Sequence, residues 1–243
     1  MRAAVMRNRQ IVADTIQDPV PGPGEVLVKT LACGICGSDL HALHHADQMM
    51  EAAKESGAPF VPNLLGDVVL GHEFCGEILD FGPNTTRRIP AGRRVVSVPI
   101  LFRGARIQAV GYSDEVPGGY AERMVLSEPL LLEVPNGLAP EHAATTAPMA
   151  GGAPAAATPK VPARRRPLVV GCGPVGLAVI AGLRLQGAEK IVAADHSPRR
   201  RALATHFGAT TVVDPKERPA IDAWREVAGA KTALIFECVG VPG

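Results

Sequence analysis

One short stretch, Leu31–His41 (LACGICGSDLH), holds two cysteines, a serine, an aspartate and a histidine. Thiolates, imidazoles and carboxylates bind metal, while a hydroxyl beside an imidazole can move a proton. Cys33 and Cys36 form a C-x-x-C pair, but no second pair exists, which excludes a four-cysteine structural zinc. A thioredoxin-like redox pair would open a strand–helix–strand unit, whereas this motif follows a strand of a β-rich region. Farther on, Gly71–Glu73 (GHE) adds a histidine with an adjacent carboxylate. A catalytic zinc needs three such ligands and an open position for water or substrate.

A second constellation lies in VVGCGPVG, where Gly171, Gly173 and Gly176 form G-x-G-x-x-G between an apolar strand and a helix. The first glycine permits the tight turn, the second lets backbone approach a pyrophosphate, and the third lets helix and strand pack closely. The phosphates would then meet the positive helix N-terminus. Asp195 ends the next strand, where a carboxylate can accept hydrogen bonds from a ribose diol and repel a 2′-phosphate. That favours NAD. Arg199, Arg200 and Arg201 follow closely, and an arginine there can accommodate NADP; Arg200 is retained as a cofactor-site candidate, and a solvated helix face accounts for two of the three.

These residues need elements to hold them. Residues 1 to about 135 read as short strands bounded by Gly and Pro, as in GEVLVKTLAC and DVVLGHEFCGEILDFG, which suggests a barrel-like β domain. HALHHADQMMEAAKES interrupts them as a short exposed helix or long loop; His44 and His45 read as solvated. From Arg166 the rhythm becomes strand, helix, strand, the signature of a parallel sheet with crossover helices. Between lies APMAGGAPAAATPKVPARRRP, whose Pro154, Pro159 and Pro162 oppose a continuous helix and make residues 147–166 read as a linker.

Lys plus Arg (25) nearly balance Asp plus Glu (24), which gives no hint of nucleic acid or an anionic membrane as partner. The apolar run Leu168–Leu183 falls short of the ~20 residues of a membrane span and is interrupted by Gly and Pro. Five scattered cysteines, with no apolar leader after Met1, point to a reducing cytoplasm.

GICGSDLH, LGHEFCGEI, VPGGYAERMVLSE and VVGCGPVGLAVIAGLRLQGA, in this order, resemble the zinc-dependent alcohol dehydrogenase family, the medium-chain dehydrogenases, in its polyol and threonine dehydrogenase branch. The resemblance implies an α/β protein in which a GroES-like β-barrel domain (1–146) precedes a Rossmann NAD-binding domain (167–243), with the active site in the cleft between. Cys36 and His72 match zinc ligands; Cys33 does not, and reads as a core residue. Ser38 matches the hydroxyl that passes the substrate's proton onward, and His41 the point where the relay reaches solvent. Asp39 and Glu73 match carboxylates behind the ligands, and Glu73 could also swing in as a ligand itself. The implied cofactors are Zn2+ and NAD, with NADP the weaker alternative, and the implied partner is a small alcohol or polyol. The family allows a homo-oligomer.

Three departures stand out. Residues 76–171 lack the four cysteines of the structural zinc that many members carry. The branch's third ligand is a glutamate in T-E-P, and here TTAPMAGGAP offers Ala147, which cannot ligate. A local shift of reading frame over residues 147–166 would leave this abrupt loss of pattern between matched flanks. Lastly, four strands fit before Gly243, against six in a full Rossmann sheet, which reads as a C-terminally truncated member. Two alternatives stay open: a non-catalytic remnant that at most binds nucleotide, and a zinc-free quinone-reductase-like enzyme.

Overall fold

A computed structural model of the chain describes residues 1–58, 60–104, 106–157, 166–229 and 233–240. The chain divides into two units, Met1–Ala147 and Pro148–Gly243.

In the first unit, β1 (Arg2–Arg7) and β2 (Gln10–Thr15) form an antiparallel hairpin. Its turn uses Asn8 and Arg9, both at positive φ, as a two-residue hairpin turn requires. β3 (Glu25–Gly34) follows, with Val26 and Val28 buried and Lys29 exposed. α1 (Gly37–Glu55) comes next, so the expected helix begins earlier than HALHH and includes Ser38, Asp39 and His41. Then come β4 (Glu73–Phe81), β5 (Arg94–Ser97), β6 (Ile100–Arg103), β7 (Arg106–Ala109), β8 (Arg123–Ser127), β9 (Leu131–Glu133) and the short α2 (Pro140–Ala144).

Five of these strands form one antiparallel sheet in the order β8-β3-β4-β5-β9, over a core that includes Val26, Val28, Ile78, Val95, Met124 and Leu126. Register slips in β3 between Thr30 and Ala32. A bulge of this kind bends the strand and redirects the chain beyond it, here just before the Cys33–Cys36 segment. β6 and β7 pair as a hairpin within the cysteine-free stretch, fastened by Arg103 Nε donating to buried Glu25 at 2.7 Å.

The second unit contains α3 (Thr146–Ala157, entered from the first unit), β10 (Leu168–Val170), α4 (Pro174–Leu185), β11 (Val192–Ala194), α5 (Pro198–Phe207), β12 (Thr211–Val213), α6 (Ala220–Ala228) and β13 (Ile235–Glu237). Its parallel sheet runs β12-β11-β10-β13. Strand order reverses beside β10, and in such sheets ligands bind outside the strand ends at this point.

The linker expectation needs correction at its N-terminal part: Thr146–Ala157 is helix, with Pro154 inside it. A proline inside a helix costs about 3 kcal/mol, but tertiary packing outweighs it here. α3 lies so close to α4 that a Cβ on Gly152 would fall 2.6 Å from Ala178 Cβ, and one on Gly182 3.1 Å from Ala156 Cβ. The small residues that looked like linker composition let the two helices approach. Pro159 and Pro162 lie outside the described residues. No described helix is long and apolar enough to cross a membrane.

Candidate functional site

Cys36 is the N-cap of α1, where unpaired backbone N–H groups favour a negative thiolate. Asp39, at the third helical position, reaches back and accepts the Cys36 N–H at 2.9 Å, one arm of a capping box. The same Oδ2 accepts the Tyr120 hydroxyl at 2.8 Å, and Oδ1 lies 3.3 Å from His72 Nδ1, an ion-pair distance without a well-aligned hydrogen bond. Gly71 sets the approach of His72: its φ is +97°, and a Cβ there would fall 2.6 Å from the Tyr120 ring. Only glycine suits that position.

β4 then opens with buried Glu73. One donor atom each from Cys36, His72 and Glu73 lie within 4.8 Å of one another. This is the chemistry of an open zinc site: a soft thiolate, an imidazole and a carboxylate, with a fourth position left for substrate. Among the described residues these three alone form such a group, so Glu73 offers a candidate third donor despite Ala147.

The charges of this cluster depend on one another, and a metal would have to displace the His72 proton in order to bind. The neighbouring His72 pulls the Cys36 thiol below its ordinary range, against its burial. Burial disfavours a charged His72, but Asp39 and then Cys36 outweigh it, and the imidazole is raised to about 9. Burial also opposes ionisation of Asp39, yet the facing His72 and the hydrogen bond from the Cys36 N–H hold it below the usual carboxylate range. Cys33 stands apart. Burial pushes its thiol up to about 12, and its sulfur lies 2.7 Å from where a Cβ on Gly119 would be.

Gly34 makes room for the carboxylate, since a Cβ there would lie 2.6 Å from Glu73 Oε2. We expect Gly34→Ala to displace Glu73 and weaken zinc binding about ten- to a hundredfold, as measured by competition with a chromophoric chelator. Unchanged affinity would show that Glu73 is no donor.

Ser38 Oγ lies 3.4 Å from His72 Nε2 and accepts the Tyr112 hydroxyl at 2.8 Å. His41 is exposed, with its ring 5.9 Å from that of His45, and among the described residues no hydrogen bond joins it to Ser38. Tyr112 and Tyr120 were missed from sequence; the available signal was that the chain has two tyrosines, both in the glycine-flanked loop GYSDEVPGGY.

In the second unit, Gly171 (φ +90°) abuts Cys238 and Val239, and a Cβ on Gly176 would fall 1.9 Å from the Gly171 carbonyl oxygen. Gly173, the N-cap of α4, faces open space. Asp195, just after β11, is almost fully buried, its two oxygens accepting the Cys172 and Ser197 N–H groups at 2.8 Å each. Each oxygen keeps acceptor capacity for a diol. Exposed Arg200 stands 3.9 Å from Asp195, whereas Arg201 braces the turn through Asp214 and the carbonyls of Asp195 and His196.

An antiparallel β unit carrying an open donor trio, followed by a parallel-sheet unit with a glycine-lined phosphate turn, defines a metal- and dinucleotide-dependent oxidoreductase. Residues 22–136 match the alcohol dehydrogenase GroES-like domain, and residues 174–243 the zinc-binding dehydrogenase family. The chain is 32% identical over 251 residues to (R,R)-butanediol dehydrogenase of Bacillus subtilis (strain 168), covering all of this chain and 71% of that protein. It is 29% identical over 257 residues to sorbitol dehydrogenase of the same organism, covering all of this chain and 69% of that one. The crystal structure of the Bacillus subtilis 2R,3R-butanediol dehydrogenase superposes with a TM-score of 0.79, over 99% of this chain and 71% of the other. The chain therefore belongs to the zinc-dependent alcohol dehydrogenase family, with a GroES-like unit and a Rossmann-type unit.

Proposed function

We propose that the chain transfers hydride between a small diol or polyol and NAD, with zinc held by Cys36, His72 and Glu73. The donor trio within 4.8 Å carries this reading, and the butanediol and sorbitol dehydrogenases among its relatives support the substrate class. The GroES-like domain (1–146) supplies metal and proton chemistry, and the Rossmann domain (167–243) the nucleotide.

When bound, zinc supplies Lewis acidity at the alcohol oxygen, making the alkoxide accessible near neutral pH. Asp39 keeps His72 oriented. Ser38 Oγ accepts the alcohol proton as it releases its own hydrogen, and a bridging water carries that proton to His41, which is exposed a turn along α1 and delivers it to solvent. The N–H groups at the start of α4 hold the pyrophosphate above Gly173. Asp195 takes the ribose diol and disfavours a 2′-phosphate, with exposed Arg200 beside it. Five free cysteines suit a reducing cytoplasm, and a homo-oligomer follows the habit of the family.

The test is NADH formation by the zinc-loaded chain from 2,3-butanediol, sorbitol and ethanol. We expect turnover favouring the diol and polyol, abolished by a chelator and restored by zinc. Ala147 favours a second reading, a nucleotide-binding chain without activity; NADH binding with no turnover on any alcohol would establish it.

A further inference from the structure

We propose that Tyr112 is a positioning residue that sets the direction of the Ser38 hydroxyl, an inference that rests on the metal-site reading above. A serine hydroxyl carries one hydrogen and two lone pairs, and its hydrogen rotates to suit its surroundings. Ser38 Oγ has two polar neighbours, the Tyr112 hydroxyl at 2.8 Å and His72 Nε2 at 3.4 Å. With the Tyr112 hydrogen on one lone pair, the Ser38 hydrogen is directed away from Tyr112. A His72 nitrogen engaged by metal offers nothing to that hydrogen. The second lone pair of Ser38 is then left to accept from the substrate hydroxyl, and its hydrogen is free to be passed onward.

Tyr112 is built to hold this position. Its carbonyl accepts the Asn63 N–H at 3.0 Å, and its ring packs beside the buried cluster that includes Met6, Ala42, Val68 and Leu70. The ring stands 5.2 Å from that of His72. The other tyrosine, Tyr120, is committed to Asp39 and the Gly34 carbonyl. Both tyrosine hydroxyls of the chain therefore serve this centre: Tyr120 fixes the carboxylate facing the histidine, and Tyr112 fixes the serine.

The test uses the full chain with cobalt(II) in place of zinc, so that visible absorbance reports binding at the open metal position. Trifluoroethanol, an alcohol that needs the Ser38 hydroxyl, is titrated alongside thiocyanate, which does not. We expect Tyr112→Phe to weaken trifluoroethanol about five- to tenfold, the loss of one hydrogen bond, and to leave thiocyanate unchanged. Ser38→Ala should weaken the alcohol as much or more, and adding Tyr112→Phe to it should cost nothing further, because the two act as one unit. Equal loss of both ligands in Tyr112→Phe, additive losses in the double variant, or no loss at all would each overturn the proposal. Absence of cobalt bands in the unaltered chain would overturn the metal-site reading, and the role of Tyr112 with it.

Discussion

Cys36→Ala is expected to strip zinc from a protein that otherwise holds about one per chain. The trio of Cys36, His72 and Glu73 has no spare donor among the described residues, and alanine offers none. Structural zinc binds with about 10–16 kcal/mol; one ligand of three then accounts for roughly 4 kcal/mol, a loss on the order of a thousandfold in affinity. Alcohol-dependent NADH formation should fall with it. The metal-free variant should unfold within about 1 kcal/mol of the metal-free parent, since Cys36 is half-buried at a helix end rather than in a core. Cys33→Ala is the control. Its sulfur packs against Gly119, so zinc should remain. Metal analysis of the dialysed proteins decides the matter: zinc retained by Cys36→Ala, or lost by Cys33→Ala, would refute the ligand assignment.

The second large effect is expected at Gly176. A methyl group there would meet the Gly171 carbonyl oxygen at 1.9 Å, and Gly171 cannot retreat. Its N–H is held by the Ala194 carbonyl at 2.8 Å, and its other side abuts the Cys238 backbone. Gly176→Ala must therefore lever α4 off the turn, at a cost of about 3 kcal/mol and most of the NADH affinity. Gly173→Ala makes the informative contrast. Nothing lies within 4 Å of the added carbon and φ is −72°, so stability should hardly change. The methyl would nevertheless occupy the path of the pyrophosphate, and NADH should again be lost. Fluorescence titration with NADH and thermal melts of both variants provide the readout. Full NADH affinity in Gly173→Ala would argue against phosphate binding at this turn.

What could be read from sequence was local. The G-x-G-x-x-G turn is a demand of backbone on its immediate neighbours and was visible in a short window, whereas the cap formed by Cys36 and Asp39 went unread because the helix was expected to begin at His41. The approach of His72 to Cys36 was legible only through resemblance, because no spacing rule relates a helix cap to the start of β4. Tyr112 left only a compositional trace, as one of two tyrosines in one loop. Its partner Ser38 lies 74 positions away, and a loop tyrosine carries no periodicity. The helix Thr146–Ala157 was misread because proline content was weighed as a local penalty, while the deciding term was the fit of Gly152 and Ala156 against α4.

Asp39 has a consequence beyond chemistry. One carboxylate closes the first turn of α1 and faces the histidine, so fraying of that turn would release the thiolate and the imidazole's partner in one event. Metal loss and local opening thus share a coordinate. At a hundredfold excess of metal over its dissociation constant, mass action would hold the turn shut by a further ~2.7 kcal/mol, and amide exchange at Ser38 and Asp39 would slow accordingly. A metal held at this proposed centre would also act as the latch on its own helix, and its depletion would loosen the protein first at that place.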